Sequence, residues 1–289
     1  MAILSEIVFV VVYHLVRYRR KVTRSNLENA YPERSHSERK AIERAYYHHI
    51  SDLLIEGLYN LYAHPKGIMS RYHFVNRQVV NRYYEQGRSV VLLSAHYNNW
   101  EYMVSSLNFQ LMHHGVGVGK PLNDKLVANY ITHRRARFGT EIVDHTNVRE
   151  TMEYYQQHHV PTAYMMLSDQ SPSDVYKSYW TTFMHQETAF IYGGEYFARK
   201  YDMPVIYYEV RKVRRGHYEV FFTPLCEKPS EVPQYAIVSR YVQMLKRTID
   251  AAPQYWLWSH RRWKRSRPPE VPLHDLNKES TINSLITIH

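Results

Sequence analysis

The chain of 289 residues has a single cysteine, Cys226, which excludes an intramolecular disulfide and fits a reducing compartment. Its flanks, "TPLCEKP", supply no metal or nucleophile spacing, so Cys226 reads as a structural thiol. No glycine-rich phosphate loop or dinucleotide fingerprint is present, and "GVGVGKP" lacks the Walker spacing. His113-His114 and His158-His159 are adjacent pairs whose side chains diverge on a helix. With no His-Glu-x-x-His or cysteine pairing beside them, no metal and no cofactor is expected. No apolar run reaches the roughly 20 residues of a membrane span: "AILSEIVFVVVYHLV" is shorter and carries Glu6 and His14. It also lacks the basic leader and small-residue cleavage site of a secretory signal. Acidic residues are in deficit, 27 against 37 basic ones, and the net charge of +10 implies an anionic partner: nucleic acid, an anionic membrane, or a phosphorylated or acidic substrate.

Hydrophobic content of 44% is enough for a buried core and excludes a disordered chain. Tyrosine is abundant, at 27 residues, and rings with a polar tip suit surfaces that are apolar on one side and wet on the other. The apolar amino terminus runs directly into Arg17, Arg19, Arg20, Lys21 and Arg24, a pattern expected of an anchor over residues 1–24 that dips into an anionic leaflet. A buried first helix with a solvated basic end is the alternative. Helical spacing follows to about Tyr62, where "SHSERKAIERAYYHHISDLLIEGLYNLY" opens on a serine cap with glutamate three residues on.

A short helix ending at Gly87 leads to the continuous apolar run Ser89 to Ser94, which predicts a central, parallel strand. Strands and helices then alternate: a helix from Asn99, strands at "GVGVGKPL" and "EIVD", helices near 123–138 and 148–158, and a strand in "PTAYMMLSDQSP". A helix in "GGEYFARKYDM", a hairpin of "PVIYYEVRKV" with "HYEVFFTPL", and a long helix in "YAIVSRYVQMLKRTIDAAP" complete the pattern. This alternation predicts an α/β fold with a mostly parallel central sheet flanked by helices, occupying residues 25–267. The Pro-rich stretch 268–289 reads as a loose tail.

The segment "SAHYNNWEYM" places His96 and Glu101 five residues apart just after the buried strand. On one regular helix that step turns about 500 degrees and leaves the side chains about 140 degrees apart, so they cannot pair. If His96 ends the strand and Tyr97 and Asn98 form a turn, Glu101 falls in the first helical turn and can reach back to the imidazole. A carboxylate on one ring nitrogen fixes the tautomer and leaves the other free to take a proton. The spacing alone is weak evidence, because a chain with 18 histidines shows such matches by chance.

The ordered set "LLSAHYNNWE", "SDQSP", "TTFMHQETAF", "GGEYFARKYDMPVI" and "PQYWLWSHRRWK", with "NLENAYPERS" near the start, resembles the bacterial lipid A biosynthesis acyltransferases, a branch of the glycerolipid acyltransferase superfamily, from about residue 16 to 265. The resemblance implies transfer of a fatty acyl chain from a thioester on acyl carrier protein to a hydroxyl of a lipid A precursor, at the cytoplasmic face of the inner membrane. His96 would be the general base and Glu101 its orienting partner.

Lys120, Arg134 and Arg137 are candidates for the oxyanion, the donor or phosphate, and a solvated helix face is the bland reading of the two arginines. Asp169 and Gln170 end an apolar strand and are acceptor-binding candidates, against a plain turn with an Asp cap. Arg261 and Arg262, interleaved with Trp256, Trp258 and Trp263, are candidates for clamping phosphate and packing on acyl chains. A related alternative keeps the chemistry on a lysophospholipid, aminolipid or other glycolipid. A distant one is a basic, aromatic-rich nucleic-acid-binding module, in which those tryptophans would stack bases.

Overall fold

The computed structural model describes residues 2–119, 132–134 and 136–276. Its centre is a seven-stranded sheet in the order β1-β9-β8-β2-β5-β3-β4, comprising β1 (Tyr72–Phe74), β2 (Val90–Ser94), β3 (His114–Gly119), β4 (Glu141–Asp144), β5 (Thr162–Leu167), β8 (Val205–Arg214) and β9 (His217–Cys226). Every neighbouring pair is parallel except the hairpin β8–β9. All five residues of β2 are buried, and they alternate between two cores. Val91 and Leu93 face one and Val90 and Leu92 the other, which is why the strand reads as an unbroken apolar run.

The helices cover both faces. α4 (Pro65–Met69), α5 (Gln78–Glu85) and α6 (Trp100–Gln110) place Ile68, Val80, Tyr83, Met103 and Leu107 in the core shared with Val90 and Leu92. α2 (Arg20–Ala30), α3 (His36–Tyr62), α7 (Val148–Gln157), α8 (Gly193–Tyr201) and α9 (Ala236–Ala251) serve the opposite core through residues such as Leu27, Tyr46, Met152, Ala198 and Ile237. α3 is one helix of 27 residues that opens on a capping box between Ser35 and Glu38. Gly87, with φ of +70°, closes the turn after α5.

At the amino terminus, α1 (Ala2–Phe9) continues as a π-helical turn, Val10–Leu15, and lies against α3. Phe9 and Tyr13 are buried there, and Ser5 donates to Asp52 at 2.6 Å, while Ile3, Ile7, Leu15 and Val16 are exposed. Among the described residues no helix is long and apolar enough to cross a membrane.

A separate antiparallel hairpin, β6 (Ser178–Phe183) with β7 (Gln186–Ile191), lies outside the main sheet and was not anticipated from sequence. Its two-residue loop is Met184-His185, both with positive φ (50° and 63°), a left-handed turn made without the usual asparagine or glycine. Residues 268–276 dock on it: Val271 packs against Trp180, and the His274 N–H donates to the Trp180 carbonyl at 2.8 Å.

Candidate active site

The site begins where β2 ends. Ser94 closes the strand with its hydroxyl on the Tyr208 carbonyl at 2.7 Å, and its own carbonyl receives the Ser168 N–H at 3.0 Å and the Tyr241 hydroxyl at 2.9 Å. The chain then turns through Tyr97 and Asn98 into α6, as the spacing argument required. The two asparagines have distinct tasks. Asn98 adopts φ of +53°, a left-handed conformation that asparagine tolerates, and its carboxamide donates to the Val210 carbonyl at 2.7 Å. Asn99 caps α6, accepting the Tyr102 N–H at 3.0 Å and donating to buried Glu56 at 2.7 Å. Tyr218 also donates to Glu56, at 2.8 Å.

His96 therefore sits just past the carboxyl end of a central parallel strand, where open α/β sheets form their ligand crevices. Its side chain is 19% exposed, and its ring meets Trp100 edge-on with centroids 5.2 Å apart. Nδ1 lies 2.7 Å from Oδ1 of Asp169, a buried carboxylate whose other oxygen accepts the Trp256 indole N–H at 2.9 Å. Nε2 lies 3.2 Å from the carboxamide nitrogen of Gln170. Burial pushes the Asp169 carboxyl up, but the charge of His96 and the hydrogen bonds from His96 and Trp256 outweigh it and hold the group below its ordinary value. An ionised carboxylate only accepts, so Nδ1 donates to it, and in the neutral form of the ring the lone pair is on Nε2.

The resemblance implies Glu101 as the partner that orients the imidazole, whereas the carboxylate that the structure sets on Nδ1 belongs to Asp169. The reason is register. β2 and β5 are parallel neighbours with Ser94 opposite Leu167, so two residues beyond each strand His96 comes opposite Asp169. Strands lie about 4.8 Å apart, which a histidine and an aspartate span side by side. Glu101 occupies the first turn of α6, half-buried, and its backbone carbonyl accepts the Asn60 carboxamide at 3.4 Å.

The other sequence candidates are distributed unevenly. Arg134 and Arg137 dock on the carbonyl end of α3. Arg134 donates to the Leu61 carbonyl at 2.6 Å, and Arg137 to the carbonyls of Asn60 and Ala63, completing the helix end as cationic side chains do. Because Asn60 in turn reaches Glu101, both arginines stand on the side of the molecule where α6 begins. Lys120 lies outside the described residues. Arg262 is buried, donates to the Ala189 carbonyl, stands over the Phe190 ring at 4.7 Å, and is pushed down to about 10 by burial. Its place is in the packing of β7, while Arg261 beside it is exposed.

His260, in the same tryptophan-interleaved run, accepts the Ser171 N–H on Nε2 at 3.1 Å, and burial pushes it down to about 4, so it is a neutral ring. Trp256 and Trp258 are both buried, so two of the three tryptophans of the nucleic-acid alternative present no face on which a base could stack. Trp256 is the contribution that spacing could not find. Its partner, Asp169, lies 87 residues away.

Residues 4–265 match the model of the bacterial lipid A biosynthesis acyltransferase family. The chain is also 21% identical, over 259 residues covering 89% of its own length and 82% of the relative's, to the lipid A biosynthesis lauroyltransferase of Escherichia coli K12.

Proposed function

This chain belongs to the bacterial lipid A biosynthesis acyltransferases, and from that premise we propose that His96 is the general base for transfer of a fatty acyl chain from acyl carrier protein to a hydroxyl of a lipid A precursor. What supports the reading is the His96–Asp169 pair at 2.7 Å, which commits Nδ1 and leaves Nε2 as the basic nitrogen at a strand end. The acceptor oxygen attacks the thioester carbon as its proton passes to Nε2. Asp169 stabilises the imidazolium, as general-base catalysis requires. Collapse of the tetrahedral species breaks the carbon–sulfur bond, the imidazolium returns its proton to the departing thiolate, and the products are an ester and a free thiol. No covalent enzyme intermediate is needed.

The charge of +10 favours an acidic carrier protein, a phosphorylated sugar and an anionic leaflet alike. Arg261, exposed next to His260, is the candidate for acceptor phosphate in this reading, and Lys120 is retained as an oxyanion or donor candidate. The exposed Ile3, Ile7, Leu15 and Val16, followed by Arg17, Arg19 and Lys21, fit a helix lying in the cytoplasmic surface of the inner membrane. The test is mass spectrometry of lipid A from cells with and without the gene, alongside cells carrying His96→Ala. A shift of one acyl chain that requires His96 is expected. An unchanged lipid A profile, or full activity of His96→Ala, would refute the proposal.

A further inference from the structure

With Nδ1 committed to Asp169, His96 has one basic position, and that position is occupied: the Gln170 carboxamide nitrogen stands 3.2 Å from Nε2. A carboxamide offers either an N–H2 donor or an oxygen acceptor. Facing a bare lone pair it must donate, so Gln170 makes the same hydrogen bond to the base that an acceptor hydroxyl must make to be deprotonated. The two cannot be present together.

The surroundings of Gln170 divide sharply into fixed and movable parts. Its backbone is held on both sides. The Ser168 N–H is on the Ser94 carbonyl at 3.0 Å, Asp169 is gripped by His96 and Trp256, and the Ser171 N–H is on His260 at 3.1 Å. The Gln170 side chain is half-buried and has three rotatable bonds, so the carboxamide can swing off Nε2 without disturbing Asp169.

We infer that Gln170 is a gate on the base, and that it selects a lipid hydroxyl over water; the inference rests on the reading of His96 as the general base. A water molecule entering at Nε2 exchanges one hydrogen bond for another and gains nothing for displacing a tethered donor. A lipid acceptor brings the binding energy of its headgroup and chains and can displace it. With the gate open and no acceptor bound, water attacks the thioester carbon, its proton passes to Nε2, the carbon–sulfur bond breaks and the thiolate recovers the proton. The result is free fatty acid and free thiol, a loss of donor. The gate suppresses that reaction until the acceptor arrives.

The experiment compares wild type, Gln170→Ala and Gln170→Glu, all full length, with an acyl carrier thioester as donor and a lipid A precursor as acceptor. Free fatty acid and acylated lipid are quantified by mass spectrometry, and carbethoxylation of His96 by diethyl pyrocarbonate is followed without turnover. Gln170→Ala is expected to raise the ratio of hydrolysis to transfer about tenfold, the equivalent of one net hydrogen bond, and to speed carbethoxylation of His96. Gln170→Glu, whose carboxylate can only accept, is expected to hold the ring as imidazolium, lowering both reactions and moving the pH–rate profile to higher pH. Wild-type transfer with an unchanged ratio and unchanged carbethoxylation in Gln170→Ala would overturn the gate alone. Absence of transfer by wild type would overturn the reading of His96, and the gate with it.

Discussion

Asp169→Asn is the sharpest perturbation of the site, because the carboxylate accepts two donors and asparagine can accept at only one of its two atoms. Asp169 takes the Nδ1 proton of His96 on one oxygen and the indole proton of Trp256 on the other. In the variant the carboxamide N–H2 must face one of them. Facing Trp256, which is 3% exposed, it leaves two donors opposed and out of reach of water, at a cost of about 1–3 kcal/mol. Facing His96, it forces the proton from Nδ1 to Nε2, which satisfies both donors at position 169, lets Nε2 donate once the Gln170 carboxamide turns its oxygen inward, and removes the proposed base. The second arrangement is therefore preferred, and the fold survives while the general-base contribution, a factor of about 10² to 10⁴, is lost.

The assay is the initial rate of acyl transfer at saturating donor, paired with thermal denaturation and the imidazole nitrogen resonances of His96. The expected outcome is a fall of that size in kcat with little change in melting temperature and a tautomer switched to Nε2–H. Activity of Asp169→Asn within about threefold of wild type would refute the reasoning, since it lies far below the range assigned to the base. Glu101→Gln in the same assay separates the two carboxylates, and a larger loss there than in Asp169→Asn would return the orienting role to Glu101.

Glu195→Ala is expected to destabilise the protein by about 1–3 kcal/mol in chemical denaturation with kcat unchanged, because the carboxylate caps α9 by accepting the Tyr235 N–H at 2.6 Å and the Val238 N–H at 2.8 Å. The histidines set a pH dependence of stability. Burial pushes His49 down to about 3, and His113 and His260 to about 4, whereas unfolded histidine titrates near 6.5. The folded state thus binds fewer protons, and stability is full above about pH 6.5 and falls as pH drops toward 4. Melting temperature against pH checks this, and His113→Leu is expected to flatten the slope. Ile3→Asp with Ile7→Asp removes two exposed apolar side chains from α1, each worth about 1.5–3 kcal/mol on full burial, and is expected to weaken co-sedimentation with anionic vesicles at least tenfold.

The sequence made the local parts of this site legible and its long-range parts illegible. β2, the turn at Tyr97 and Asn98, and the start of α6 follow from an apolar run that breaks into polar residues. The serine cap of α3 and the β8–β9 hairpin were equally readable. The partner of His96 was not, because spacing arguments see only neighbours along the chain and Asp169 is 73 residues away. Asp169 stands out in the sequence by its position at a strand end, and only the pairing of β2 with β5 shows what it faces. The β6–β7 hairpin escaped for a different reason. Its turn residues, Met184 and His185, carry none of the chemistry that ordinarily announces a left-handed turn, so their conformation is imposed by the strands they join.

The turn that carries His96 is tied to a segment far along the chain: the Asn98 N–H rests on the Tyr255 carbonyl at 3.0 Å, Tyr97 bridges to Trp256, and His260 holds the loop after β5. During synthesis His96 leaves the ribosome long before these residues do. Until residues 255–260 emerge, the imidazole has no indole-braced carboxylate and the gating loop has no anchor. A nascent chain stalled before that point is expected to leave acyl thioesters untouched, which ribosome-bound truncations can measure. The site thus becomes complete in one step of translation, when residues 255–260 arrive to lock a turn made about 155 residues earlier.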